Sequence, residues 1–119
     1  MLKLRRTKNI TFPVKVRIPT DNPNTFNEGT FIVQAKVKSK EELAEYTDRG
    51  LNDAEYLDEL VVQVEGLGDE DGNPITDEAA LTEVKTGLWS SFLTPAILQE
   101  YFERMGESRV KNSKPSRSR

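Results

Sequence analysis

The amino-acid sequence predicts an α+β domain. A small three-stranded antiparallel sheet, made of an N-terminal hairpin plus one later strand, carries short helices and a C-terminal amphipathic helical pair. Three observations predict this. Two stretches near the start alternate apolar and polar residues with a period of two, the pattern of half-buried strands. A short β-branched run, Leu60 to Val64, supplies a third strand. The last third of the chain places apolar residues at helical spacing instead.

The first strand is Ile10, Phe12, Val14, Val16 and Ile18, with polar Thr11, Lys15 and Arg17 between them. Pro13 falls on the outward set and has no N–H to donate, which predicts an edge strand. Residues 19–27 (PTDNPNTFN) are dense in turn formers and read as a loop. Phe31, Val33, Ala35 and Val37 then alternate again, so the two strands pair as a hairpin with a long connection.

Ser39 and Glu42 form a capping box opening a helix over 40–49, with Leu43, Ala44 and Tyr46 as its apolar residues and Gly50 as its stop. Asn52 and Glu55 repeat the signature and open a short turn over 53–57. The third strand follows, and residues 66–74 (GLGDEDGNP) read as turn or loop. Thr76 is expected to cap a helix ending near Thr86 at Gly87. Thr94-Pro95 predicts the start of a last helix, carrying Ile97, Leu98, Tyr101, Phe102 and Met105 as one stripe. Residues 1–106 are therefore read as one domain and 107–119 as a disordered basic tail, since no apolar residue follows Val110.

Composition narrows the function. With 119 residues, 35% hydrophobic and 31% charged, the core is modest. The absence of cysteine removes disulfides and thiolate chemistry, and the absence of histidine removes the usual general base and zinc ligand. No apolar run is long enough to span a bilayer, so a soluble intracellular domain is expected. The formal net charge of -3 hides a strong segregation. Residues 1–18 hold six basic residues and no acid, residues 107–119 carry +4, and the stretch between carries -13. Basic ends of this kind either solubilise the chain or contact phosphates.

Sites of chemistry are weighed residue by residue. Asp69, Asp71 and Asn73 begin like a calcium loop, but Pro74 stands where that loop needs glycine and Ala80 where it needs glutamate. An acidic turn is the better reading, and no metal is expected. Ser90 and Ser91 have no histidine to activate them, and GLGDEDG has acids where a phosphate cradle would need none. Neither catalysis nor a cofactor is expected. The aromatic stripe of Trp89, Phe92, Tyr101 and Phe102 reads mainly as a lid packed on the sheet. A small sheet cannot cover two amphipathic helices completely, so part of the stripe is left for a partner.

From Asp58 to Ser116, about half of the chain, the order of elements resembles the tail assembly chaperones of long-tailed bacteriophages and prophages. The resemblance rests on LDELVVQVEGLGDEDGNPI, a strand running into a DEDGNP turn, and on a helix with Ala96, Tyr101, Phe102 and Glu103 followed by Gly106, Arg109, Lys111 and Asn112. Gly106 stands one residue earlier than in the family pattern, and the N-terminal hairpin carries no signature of it.

The resemblance implies a non-enzymatic protein of the host bacterial cytoplasm. It would bind and solubilise the helical tape measure protein during tail building, associate with itself, and leave before the virion is complete. It also implies a longer, frameshifted form. Val110-Lys111-Asn112 is compatible with a slippery run of adenines. The expected contact region is 88–105, with Tyr101 and Phe102 as anchors and Trp89, Phe92, Ile97 and Met105 around them. Two other readings compete: a nucleic-acid-binding accessory protein using its basic ends, and a tube or terminator subunit that stays in the tail. Aromatic residues lie in the acidic middle rather than among the basic ends, which counts against nucleic acid.

Overall fold

A computed structural model describes residues 1–106. The expected tail at 107–119, with Arg109, Lys111 and Asn112, lies outside the described residues. The chain forms β1 (Asn9–Pro19), β2 (Phe26–Lys36), α1 (Lys40–Asp48), α2 (Asp53–Leu60), β3 (Val61–Glu65), β4 (Leu67–Gly68), β5 (Pro74–Ile75), α3 (Asp77–Thr86) and α4 (Ser90–Arg104).

Strands β1, β2 and β3 form an antiparallel sheet in that order, so β1 is an edge strand, as Pro13 requires. Alternation decides which face is buried. Phe12, Val14, Phe31, Val33, Ala35 and Val64 point into the core, while Thr11, Lys15, Arg17 and Glu65 remain exposed. The hairpin is longer than the alternation of 31–37 predicts, because β2 begins at Phe26. Its outer half is fastened by surface chemistry rather than by the core. Arg17 pairs with Glu28 at 2.9 Å and lies over the Phe26 ring at 4.0 Å.

Both predicted capping boxes are present. Ser39 Oγ accepts from the Glu42 N–H, and the Glu42 carboxylate accepts from the Ser39 N–H at 2.8 Å. That backbone hydrogen bond is the main reason the Glu42 carboxyl lies below its ordinary pKa. Gly50 ends α1 at φ +72°, with its N–H on the Thr47 carbonyl and the Leu51 N–H on that of Tyr46. Leu43 and Tyr46 are buried, but Ala44 faces solvent.

The second capping box opens a two-turn helix rather than a single turn. It runs through Leu60, which is therefore a buried helical residue and not the first residue of the strand. The 66–74 segment also differs from expectation. It holds a two-residue strand pair, Leu67↔Ile75 and Gly68↔Pro74. The turn between them is built by Asp69, whose Oδ1 accepts from the Asp71 and Asn73 N–H groups, both at 2.9 Å.

Helix α3 starts after Thr76, but that side chain makes no capping hydrogen bond. Its end is a close approach rather than a left-handed glycine. Gly87 is extended (φ -74°, ψ 178°), and a Cβ there would meet the Glu83 carbonyl oxygen at 2.6 Å. Helix α4 begins at Ser90, not at Pro95, so Thr94-Pro95 is not its N-terminus. Thr94 is instead buried within α4, and its hydroxyl donates to the Val84 carbonyl in the last turn of α3. Thr94 thus joins α4 to α3 instead of capping a helix.

Helix α4 packs against β1 and α3 against β3, α3 and α4 pack on each other, and α2 packs mainly on α4. A relay of aromatic rings runs through this packing. Phe12 meets Tyr101, Tyr101 meets Phe102, Phe102 meets Tyr56 and Tyr56 meets Tyr46, with centroids 5.4 to 6.5 Å apart. Among the described residues, no helix is long and apolar enough to cross a membrane.

Candidate interaction surface

The six residues expected to contact a partner fall into two groups. Ile97, Tyr101 and Phe102 are buried, and Met105 is partly buried against the same core. Tyr101 and Phe102 are thus core residues, and the expectation that they anchor a partner is corrected. The reason lies in the phase of α4. Leu93, Thr94, Ile97, Leu98, Tyr101 and Phe102 recur as adjacent pairs one turn apart and form the single inward stripe of the helix. Two of these rings are needed to fill the space between the sheet and α2, which is what the aromatic relay does.

Trp89 and Phe92 are the other group. They lie at the corner where α3 turns into α4, 36% and 40% exposed, beside Leu88 at 81%. The local chain explains the corner. Gly87 stops α3 in an extended conformation, and the Ser90 N–H bonds back to its carbonyl at 3.1 Å. The Phe92 and Leu93 N–H groups then both reach the Trp89 carbonyl, at 2.9 and 3.1 Å, and start α4. With Leu93 and Thr94 turned inward, Phe92 is left at the rim. Trp89 stands three residues before it on the same side, and their rings meet edge to face at 5.9 Å. Leu88, Trp89 and Phe92 form a contiguous apolar knob whose two rings hold each other's orientation.

The Asp69 turn offers less than its acid density suggests. The Asp69 carboxylate is engaged by its own turn, and the Asp69 N–H also bonds to the Asn73 carbonyl at 2.9 Å. Its role is to fold β4 back on β5.

Sequence reasoning missed a second feature beside β3. The register between β2 and β3 shifts between Gln34 and Ala35, which leaves Val62 as an extra, outward-facing residue. Next to it a groove of about 420 Å³ is lined by Val62, Gln63, Asp77, Glu78 and Leu81. The available signal was the doublet Val61-Val62, which breaks the period of two inside an otherwise regular strand.

No protein-family model matches the chain, and neither does any curated protein or solved structure.

Proposed function

We propose that the chain is a tail assembly chaperone that binds the tape measure protein through the α3–α4 corner. The observation that carries this reading is the exposed knob of Leu88, Trp89 and Phe92 on a domain whose other large aromatics, Phe26 aside, are mostly buried. A pair of pre-oriented aromatic rings beside an exposed leucine suits the apolar stripe of an amphipathic helix. The net negative body around it opposes non-specific aggregation through the apolar knob while that is unoccupied. The DEDGNP turn and the α4 residues of the family resemblance support the same reading. Both act in it as scaffold: Asp69 folds the turn, and Tyr101 and Phe102 hold α4 to the sheet.

The nucleic-acid reading has one observation in its favour, since Lys3, Arg5, Arg6 and Lys8 are all exposed. It predicts affinity that falls steeply with salt and is lost when residues 113–119 are removed. The structural-subunit reading predicts that the chain persists in finished particles.

One experiment separates the three. A tagged chain is recovered from phage-producing cells at moderate salt with nuclease present, and its partners are identified by peptide mass spectrometry. Recovery of a very long, helix-rich protein, together with absence of the chain from finished particles, is the expected result. Recovery of short virion subunits alone, or loss of every partner to nuclease, rejects the proposal.

A further inference from the structure

Strand β3 is an edge of the sheet, so one side of it has no strand neighbour. The groove beside it combines apolar Val62 and Leu81 with the carboxylates of Asp77 and Glu78. Neither carboxylate has an ion-pair partner among the described residues. At the opposite edge, residues 1–7 form no helix or strand, and Leu2 and Leu4 are almost fully exposed. Lys3, Arg5 and Arg6 lie in the same stretch, and Lys8 follows it. In an extended arm a period of two places Leu2 and Leu4 on one face and Lys3 and Arg5 on the other. The groove offers the matching pair of an apolar wall and an acidic rim.

We propose that residues 1–7 of one copy dock in the β3–α3 groove of a second copy, linking chains head to tail. The Lys8 carbonyl accepts from the Val37 N–H at 2.8 Å and continues the β1–β2 ladder. The arm therefore leaves along the β1 edge, with β2 standing between it and its own β3. A groove on another molecule meets no such obstacle. The bulge at Val62 interrupts the strand, so the seat is apolar and ionic rather than a long strand addition. Arm and groove are different surfaces, so the contact does not close on itself as a two-fold dimer does. A seven-residue arm sits at the low end of interface sizes and gives weak, concentration-dependent association. This contact is independent of the tape measure reading.

Sedimentation equilibrium on the full chain tests it, over roughly 10 µM to 1 mM at low salt. The weight-average mass is expected to climb past that of a dimer with concentration and to fall back as salt is added. Deleting residues 2–7 removes the arm but keeps the groove, and Val62→Lys blocks the groove but keeps the arm. Each variant is expected to stay monomeric with an unchanged circular dichroism spectrum and melting midpoint. Mixing the two should give dimers and nothing larger, because only one productive contact remains. A full chain that stays monomeric throughout, a variant that assembles like the full chain, or a mixture without dimers overturns the proposal. So does a monomer whose β3 amides lose exchange protection on arm deletion, which would place the arm in its own groove.

Discussion

The hydroxyl of Tyr101 donates to the backbone carbonyl of Lys36 at 2.8 Å, joining the last turn of α4 to the end of β2 across 65 residues of sequence. There β2 is still paired with β1 through Asn9 but has passed Val61, its last partner on β3, and the phenol takes up the Lys36 carbonyl. Tyr101 thus fills the core with its ring, against Phe12 and Phe102, and satisfies a backbone acceptor with its tip.

Tyr101→Phe keeps the ring and removes the donor, and is expected to cost about 1–3 kcal/mol in urea unfolding. The pH dependence gives a second check. Burial pushes the Tyr101 phenol from its ordinary 10.0 up to about 12. Below pH 10 it is neutral in both folded and unfolded chains, and its contribution is fully present. Between pH 10 and about 12 the unfolded chain releases the proton while the folded chain holds it, so stability falls. Wild type should therefore lose stability more steeply than Tyr101→Phe across that window. Parallel curves would remove the phenol from the account.

The Thr94 hydroxyl occupies the Val84 carbonyl, one of the acceptors left open where α3 ends. Thr94→Val preserves shape and leaves that buried carbonyl without its partner, at an expected cost of about 1–3 kcal/mol. Thr94→Ser keeps the donor and should lose less. Thermal melts of the pair decide it, and a Thr94→Val variant that loses less than Thr94→Ser would show that the methyl group, not the hydroxyl, matters at this position.

Gly87 is required by space rather than by backbone angle. Its φ of -74° suits any residue, but a Cβ would lie 2.6 Å from the Glu83 carbonyl oxygen. Gly87→Ala is expected to destabilise the domain by about 1–3 kcal/mol and to disturb the corner that presents Trp89. An alanine variant that melts with wild type would mean that the end of α3 relaxes freely.

The sheet was legible because its faces are chemically distinct. Phe12, Val14, Phe31 and Val33 alternate cleanly with polar neighbours, and that alternation fixes which face is buried. The capping boxes at Ser39 and Asn52 were legible because they are local, needing only residues three apart. Interactions between distant elements were not. Thr94-Pro95 has the composition of a helix start, yet the nearby carbonyl of Val84 on α3 draws Thr94 inside, and α4 begins five residues earlier. The stripe Ile97, Tyr101, Phe102 was visible at helical spacing, but periodicity cannot tell how much of it the sheet and α2 will cover. Only Trp89 and Phe92 are left outside, because the turn after Gly87 sets them at the rim.

That division predicts two separable classes of variant. Phe102 touches Tyr56 and Tyr101 in the core, so Phe102→Ala should cost about 3–5 kcal/mol and lower affinity for a partner only by lowering the folded fraction. Leu88→Ser and Phe92→Ser act on exposed surface, and each should change stability by only about 0.5 kcal/mol. Phe92→Ser also removes the ring that steadies Trp89, so under the chaperone proposal it should weaken binding of an amphipathic tape measure helix by about tenfold or more. Titration of wild type and both serine variants with such a helix, followed by Trp89 fluorescence, measures this directly. Unchanged affinity in both variants would remove the α3–α4 corner as the contact. A loss matched by an equal loss of stability would return Phe92 to a structural role.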